Sequence, residues 1–146
     1  MAVVDLYNGI YRVLANDEEV LNYLGIGVSA DNLTKARHIQ KRAKPQDLAE
    51  NMPLIAFYAP PGSRSHTNDL VYETLFIFDI YTNDDVDLAQ RLGDRIEKLF
   101  DGVIHPMMGI ESFESRFESA HESSTDLANT YCWTVVIGFS ISLDKK

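Results

Sequence analysis

Apolar residues return at two different spacings along this chain, and each change of spacing marks an element. In DDVDLAQRLGDRIEKLF (84–100), Leu88, Ala89, Leu92, Ile96, Leu99 and Phe100 recur at steps of three and four. Asp87, Arg91, Asp94, Arg95, Glu97 and Lys98 fall largely outside that stripe. This is one apolar face of a helix. Asn83, Asp84 and Asp85 supply an N-terminal cap, and Gly102 a stop. On either side the period drops to two. In 131–143, Tyr131, Trp133, Val135, Ile137, Phe139, Ile141 and Leu143 share one face of a strand. The opposite face carries Cys132, Thr134, Gly138, Ser140 and Ser142, with Val136 its bulky exception. In LVYETLFIFDIYT (70–82), Tyr72, Thr74, Phe76, Phe78 and Ile80 alternate with Glu73, Leu75, Ile77, Asp79 and Tyr81. Both faces are partly apolar, as in a central strand.

Three further strands are weaker. PLIAFYAPP (53–61) is apolar on both faces and stops at Pro60-Pro61-Gly62. Residues 110–121 alternate, with Phe113 and Phe117 opposed to Glu114, Arg116 and Glu118. Residues 38–42 read as a short strand before Pro45. At the start, Leu6, Ile10, Val13 and Leu14 have helical spacing with Asp5 placed to cap. A second short helix, DEEVLNYLG, begins at Asp17 and ends at Gly25. A break at Ala15–Asn16 leaves two helices or one kinked helix. Residues 25–35 and 63–69 read as loops, and 47–51 and 105–109 as connectors. The expected class is α+β. It has a mostly antiparallel four- to five-stranded sheet, one long helix packed on a face and short N-terminal helices, in a single domain over 1–146.

Composition narrows function mainly by exclusion. Hydrophobic residues make up 45% and charged residues 24%, so a real core is expected. The start lacks the features of a signal peptide, and no apolar run approaches the roughly 20 residues that span a bilayer. Synthesis in the cytosol and no membrane partner are expected. The net charge of −9 weighs against a DNA-reading domain, which needs cations to displace counterions. The one basic concentration, KARHIQKRAK (35–44), is either an anion or acidic-partner patch or a solvated edge strand with protective lysines. The second reading is preferred.

Candidate chemistry is sparse. Gly25-Ile26-Gly27 lacks the third glycine and preceding strand of a dinucleotide loop. His38, His66, His105 and His121 form no metal-ligand pair, and His66 near Asp69 reads as a solvated loop histidine. The single cysteine, Cys132, permits no internal disulfide and has no adjacent histidine. Glu111, Glu114, Glu118 and Glu122 form an acidic stretch that reads as a solvated or subunit-facing surface. No serine sits in a nucleophile-elbow context. The expectation is no enzyme, no cofactor and no metal.

Taken together, 17–143 resembles the tail terminator (tail-completion) proteins of long-tailed bacteriophages. The carriers are DEEVLNYLG, the proline-led PLIAFYA, the polar loop after Pro60-Pro61-Gly62, VYETLFIFDIYT, DDVDLAQRLGDRIEKLFDG and the closing YCWTVVIGFSISL. The resemblance implies a virion protein, assembled in the host cytoplasm, whose hexameric ring caps the tail tube. That ring ends tail polymerisation and joins tail to head. Implied partners are further copies of the chain, the tail tube protein and a head-tail connector or stopper protein. Genomic DNA would pass through the lumen without sequence-specific binding. By analogy, the arm 60–69 would touch the neighbouring ring or tube, with Arg64, His66, Asp69 and Glu73 as contact residues. The alternatives are another head-tail neck component and a small-molecule-binding α+β domain.

Overall fold

The computed structural model describes residues 3–60, 63–64, 71–107 and 110–142. Three N-terminal helices come first: α1 (Val3–Ala15), α2 (Glu18–Tyr23) and α3 (Asn32–His38). They lead into β1 (Ile39–Gln40), the single-turn helix α4 (Leu48–Asn51), β2 (Leu54–Tyr58), β3 (Ser63–Arg64) and β4 (Val71–Thr82). The long helix α5 (Val86–Phe100) and strands β5 (Ile104–Met107), β6 (Ile110–Ser123) and β7 (Tyr131–Ser142) complete the chain. One sheet runs β1-β2-β4-β7-β6-β5, with β3 paired to β4. Every pairing is antiparallel except β1 with β2. The α+β class, the mostly antiparallel sheet and the long helix on its face are as the sequence predicts.

The core lies between one face of this sheet and α1, α2 and α5. Phe57, Phe76 and Phe78 from the sheet are fully buried, as are Leu6 and Ile10 of α1, Leu21 of α2 and Leu92, Ile96 and Phe100 of α5. The aromatic rings interlock across the layers. Tyr7 meets Phe76 edge-on at 5.0 Å between ring centroids, Phe78 stacks on Phe100 at 5.7 Å, and Phe139 meets Phe100 at 5.6 Å. Such geometry favours the aromatic quadrupoles beyond simple burial.

Local chemistry accounts for the boundaries. Asp85 caps α5 by accepting from the Leu88 N–H at 3.0 Å, and Gly102 leaves the helix with φ +70°. The first helical stretch resolves into two helices, because Asp17 caps α2 through the Val20 N–H at 3.0 Å. Asp5 lies inside the first turn of α1 and is not its cap.

Several expectations change. The loop predicted over 25–35 ends early, because Asp31 accepts from the Thr34 N–H at 2.8 Å and starts α3. The strand predicted at 38–42 shrinks to Ile39–Gln40. Residues 47–51 contain a helical turn, and Ile104–Met107 is a strand paired with β6, not a connector. Unbroken alternation over 110–121 fails as well. A bulge between Phe117 and Ser119 shifts the register, so Phe117 pairs with Ile137 but Ser119 with Val136. Beyond the bulge the facing parity of β6 is reversed.

Gly93 lets α5 approach β7 closely. A Cβ there would sit 2.7 Å from Trp133 Cδ1 and 3.2 Å from Val135 Cγ2. Gly93→Ala gains about 1 kcal/mol in helix propensity but overpacks the interface by about 1–3 kcal/mol. The expected net result is a lower melting temperature. It should come with a shifted emission spectrum, since Trp133 is the only tryptophan. Unchanged stability and emission would show that the helix can move aside.

Candidate interaction surfaces

All the long elements pack on one side of the sheet, so its other face is the place to look for function. By register that face carries Leu54, Ala56 and Tyr58 of β2, together with Glu73, Leu75, Ile77, Asp79 and Tyr81 of β4. Cys132, Thr134, Val136, Gly138 and Ser140 of β7 continue it.

Its centre is polar and well satisfied. Asp79 is only 8% exposed and carries no ion pair among the described residues. Its Oδ1 accepts from Thr134 Oγ1 at 2.6 Å, and the Tyr58 hydroxyl is also bonded to it. Thr134 is in turn bonded to Ser123 Oγ. A chain of hydroxyls therefore runs over β6, β7, β4 and β2 to one buried carboxylate. Burial and the nearby Asp79 charge push the Tyr58 phenol up to about 12 and the Cys132 thiol up to about 11. Burial, with the neighbouring Cys132 and Asp79, also raises Tyr81. These groups stay protonated at neutral pH, so Cys132 is a packed, unreactive thiol here. Sequence parity places Asp79 and Cys132 on this face, but the hydroxyl chain depends on strand pairing.

Towards one end the same face becomes acidic. Ser63, Glu73, Ser140 and Glu114 form one cross-strand row over β3, β4, β7 and β6. Glu118 lies one step away, where its carboxylate covers Gly138; a Cβ there would be 2.8 Å from Glu118 Oε1. Arg116, opposite Gly138, is the cation by register in this cluster. Glu73 and Glu118 are exposed. Of the predicted contact residues, Arg64 pairs with Tyr72 and so falls beside Glu73 at the edge of this region. His66 and Asp69 lie outside the described residues.

A second surface is basic. Five of the chain's 13 lysines and arginines fall within residues 32–46, which contain no carboxylate. They do not decorate one long edge strand, as the preferred sequence reading had it. Lys35 and Arg37 are on α3, while Lys41, Arg42 and Lys44 are on the turn after β1. That turn is held by Gln40. Its Nε2 donates to the Arg37 and Gln46 carbonyls, both at 2.9 Å, and its Oε1 accepts from the Gln46 N–H at 2.7 Å. Lys41 Nζ donates to Asn8 Oδ1 at 2.7 Å and sits 5.5 Å from the Tyr11 ring centroid. A cleft opens here against α1, lined by Arg12, Asn16, Asn32 and Lys35. Among the described residues, no group of three or more side chains could hold a metal ion, and no helix is long and apolar enough to cross a membrane.

No protein-family model and no curated protein sequence matches this chain. Its fold does match solved structures. It has the fold of a chain in the virion of a native gene transfer agent particle. The TM-score is 0.69 at 12% identity, over 96% of both chains. A second solved structure matches with a TM-score of 0.59 at 11% identity, over 100% of this chain and 99% of the other. At such identities the likeness concerns the fold.

Proposed function

We propose that this chain is a structural protein of a phage-like virion. In this reading it forms a ring that caps the tail tube, ends tail polymerisation and joins tail to head. The observation that carries the reading is the near full-length fold likeness to a chain of a gene transfer agent virion. Two further features support it. The long helices α1 and α5 pack on one side of the sheet, and the other side leaves Glu73, Leu75 and Glu118 exposed for neighbouring copies or partners. The thiol and carboxylate on that face are buried, the phenols are half-buried, and the groups are mutually bonded, which fits a packing role and not a catalytic one. On this reading the partners are further copies of the chain, the tube protein and a connector or stopper ring, and DNA passes without specific binding.

The test is electron microscopy of particles made without the chain. Tails of uncontrolled length and heads without tails are expected, and the wild-type chain should restore normal particles. Arg64→Glu should fold normally yet fail to restore joining, because Arg64 is the only lysine or arginine in the arm 60–69. Normal-length, head-attached tails in the absence of the chain would sink the proposal. Normal-length tails that fail only to join heads would assign the chain to a head-side neck ring instead.

A further inference from the structure

The basic turn and the acidic row sit at opposite corners of the sheet, and among the described residues neither makes an ion pair. The ion pairs among the described residues all use Arg91 or Arg95 of α5. Arg37, Lys41, Arg42 and Lys44 are exposed, and so are Glu73 and Glu118. Among the described residues, Asp47 is the one carboxylate lining the neighbouring hollow over α3 and the turn after β1, and Arg116 is the cation opposite Gly138 in the acidic cluster.

Register shows how far apart the two lie. Ile39 of β1 pairs with Ile55, and Ile55 with Ile80. Glu73 lies seven residues from Ile80 along β4, or about 24 Å at ~3.4 Å per residue. Crossing from β1 towards β6 adds further strand spacings of ~4.8 Å each. Screening in physiological salt acts over about 8 Å, so the two charge groups cannot compensate each other inside one molecule. The other eight cations of the chain face all 22 carboxylates. Two copies therefore repel in most orientations, and the basic corner is where that repulsion turns to attraction.

We propose that the Arg37–Lys41–Arg42–Lys44 corner of one copy docks on the Glu73–Glu118 face of the next. The contact joins two different patches, so it is head-to-tail and propagates into a ring where the rotation closes. It rests on the ring reading above and specifies which surfaces that ring would use. The Gln40 bonds give the basic corner a fixed shape before docking, which lowers the ordering cost of association.

Two charge-swapped variants of the full chain test it: Arg37→Glu/Arg42→Glu and Glu73→Lys/Glu118→Lys. Lys41 is left intact because it bonds Asn8. Light scattering in about 0.15 M salt should show a discrete oligomer for the wild type that weakens as salt rises. Each variant alone should associate on the order of a hundredfold more weakly, since like charges now meet. Mixed in equal amounts, the two should recover the wild-type mass, because the corner of the first now matches the face of the second. If a double variant folds poorly, Lys44→Glu and Glu73→Lys make the same comparison with single changes. A wild-type oligomer indifferent to both swaps, or a mixture no larger than its parts, overturns this contact and leaves the terminator reading standing. A wild type that never self-associates also overturns it, and the tail-length experiment then decides the terminator reading separately.

Discussion

Phe100→Ala is expected to cost about 3–5 kcal/mol, the largest single loss in this fold. Phe100 is fully buried at the C-terminal end of α5, where it stacks on Phe78 of β4 and meets Phe139 of β7 edge-to-face. Its backbone is also anchored. The Ser115 hydroxyl donates to the Phe100 carbonyl, the Gly102 N–H donates to the Ser115 carbonyl at 2.8 Å, and Asp101 Oδ1 accepts from the Phe117 N–H at 2.9 Å. With the helix end pinned to β6, the layers cannot collapse into the space left by the ring. The melting temperature should fall by roughly 6–20 °C for a domain of this size. A fall of only a degree or two would mean that the site closes up, and that the pinning is weaker than the bonds imply.

Asp17→Ala should be the next most costly change, at about 2–3 kcal/mol. One carboxylate does two jobs. Its Oδ2 accepts from the Val20 N–H at 3.0 Å and caps α2, while Arg95 of α5 grips both oxygens at 2.9 and 2.7 Å. The pair is largely shielded, with the Asp17 side chain 12% exposed. The Arg95 bond, with help from the Val20 N–H, holds the Asp17 carboxyl below its usual range. The sign of the pH dependence follows. A carboxyl with a depressed folded-state pKa adds stability above its unfolded value near ~3.9, and that contribution disappears as pH falls through the folded value. Wild type and Asp17→Ala should therefore differ fully at pH 7 and converge under more acidic conditions. Glu19 Oε2 lies 3.6 Å from Arg95 Nε and should keep part of the interaction in the variant. A stability gap of the same size at pH 7 and pH 2 would remove the ion pair from the explanation.

What could be read from the sequence follows from where the stabilising energy is. Helix α5 was legible because its apolar stripe repeats over four turns and its cap residues are in place. Strands β4 and β7 were legible for the same kind of reason. Helix α3 was not, because NLTKARH buries none of its residues and so has no apolar period. Its helicity comes from one Asp31 hydrogen bond at its start and from packing against β1 and β2, neither of which leaves a pattern. Strand β5 was hidden because His105 and Pro106 are poor strand residues, and only pairing with β6 defines it. The interaction surfaces were half visible. The basic run and the glutamates are visible in the sequence itself, Glu73 among them. Its place in a row with Ser140 and Glu114 is a property of strand register that no local spacing encodes. The Asp79 hydroxyl chain is of the same kind, since its members come from four separate strands.

The bulge at Phe117–Ser119 has a practical consequence for comparing this protein with its relatives. Positions paired with the helix-side residues of β7 are odd-numbered before it and even-numbered after it: Ser115 and Phe117 pair with Phe139 and Ile137, then Ala120 and Glu122 with Val135 and Trp133. The two halves of β6 therefore keep separate frames, joined by one extra residue. An aligned sequence that lacks this residue is correctly gapped at Glu118 and nowhere else. A gap placed a few positions away would assign part of one half of the strand to the wrong side of the sheet.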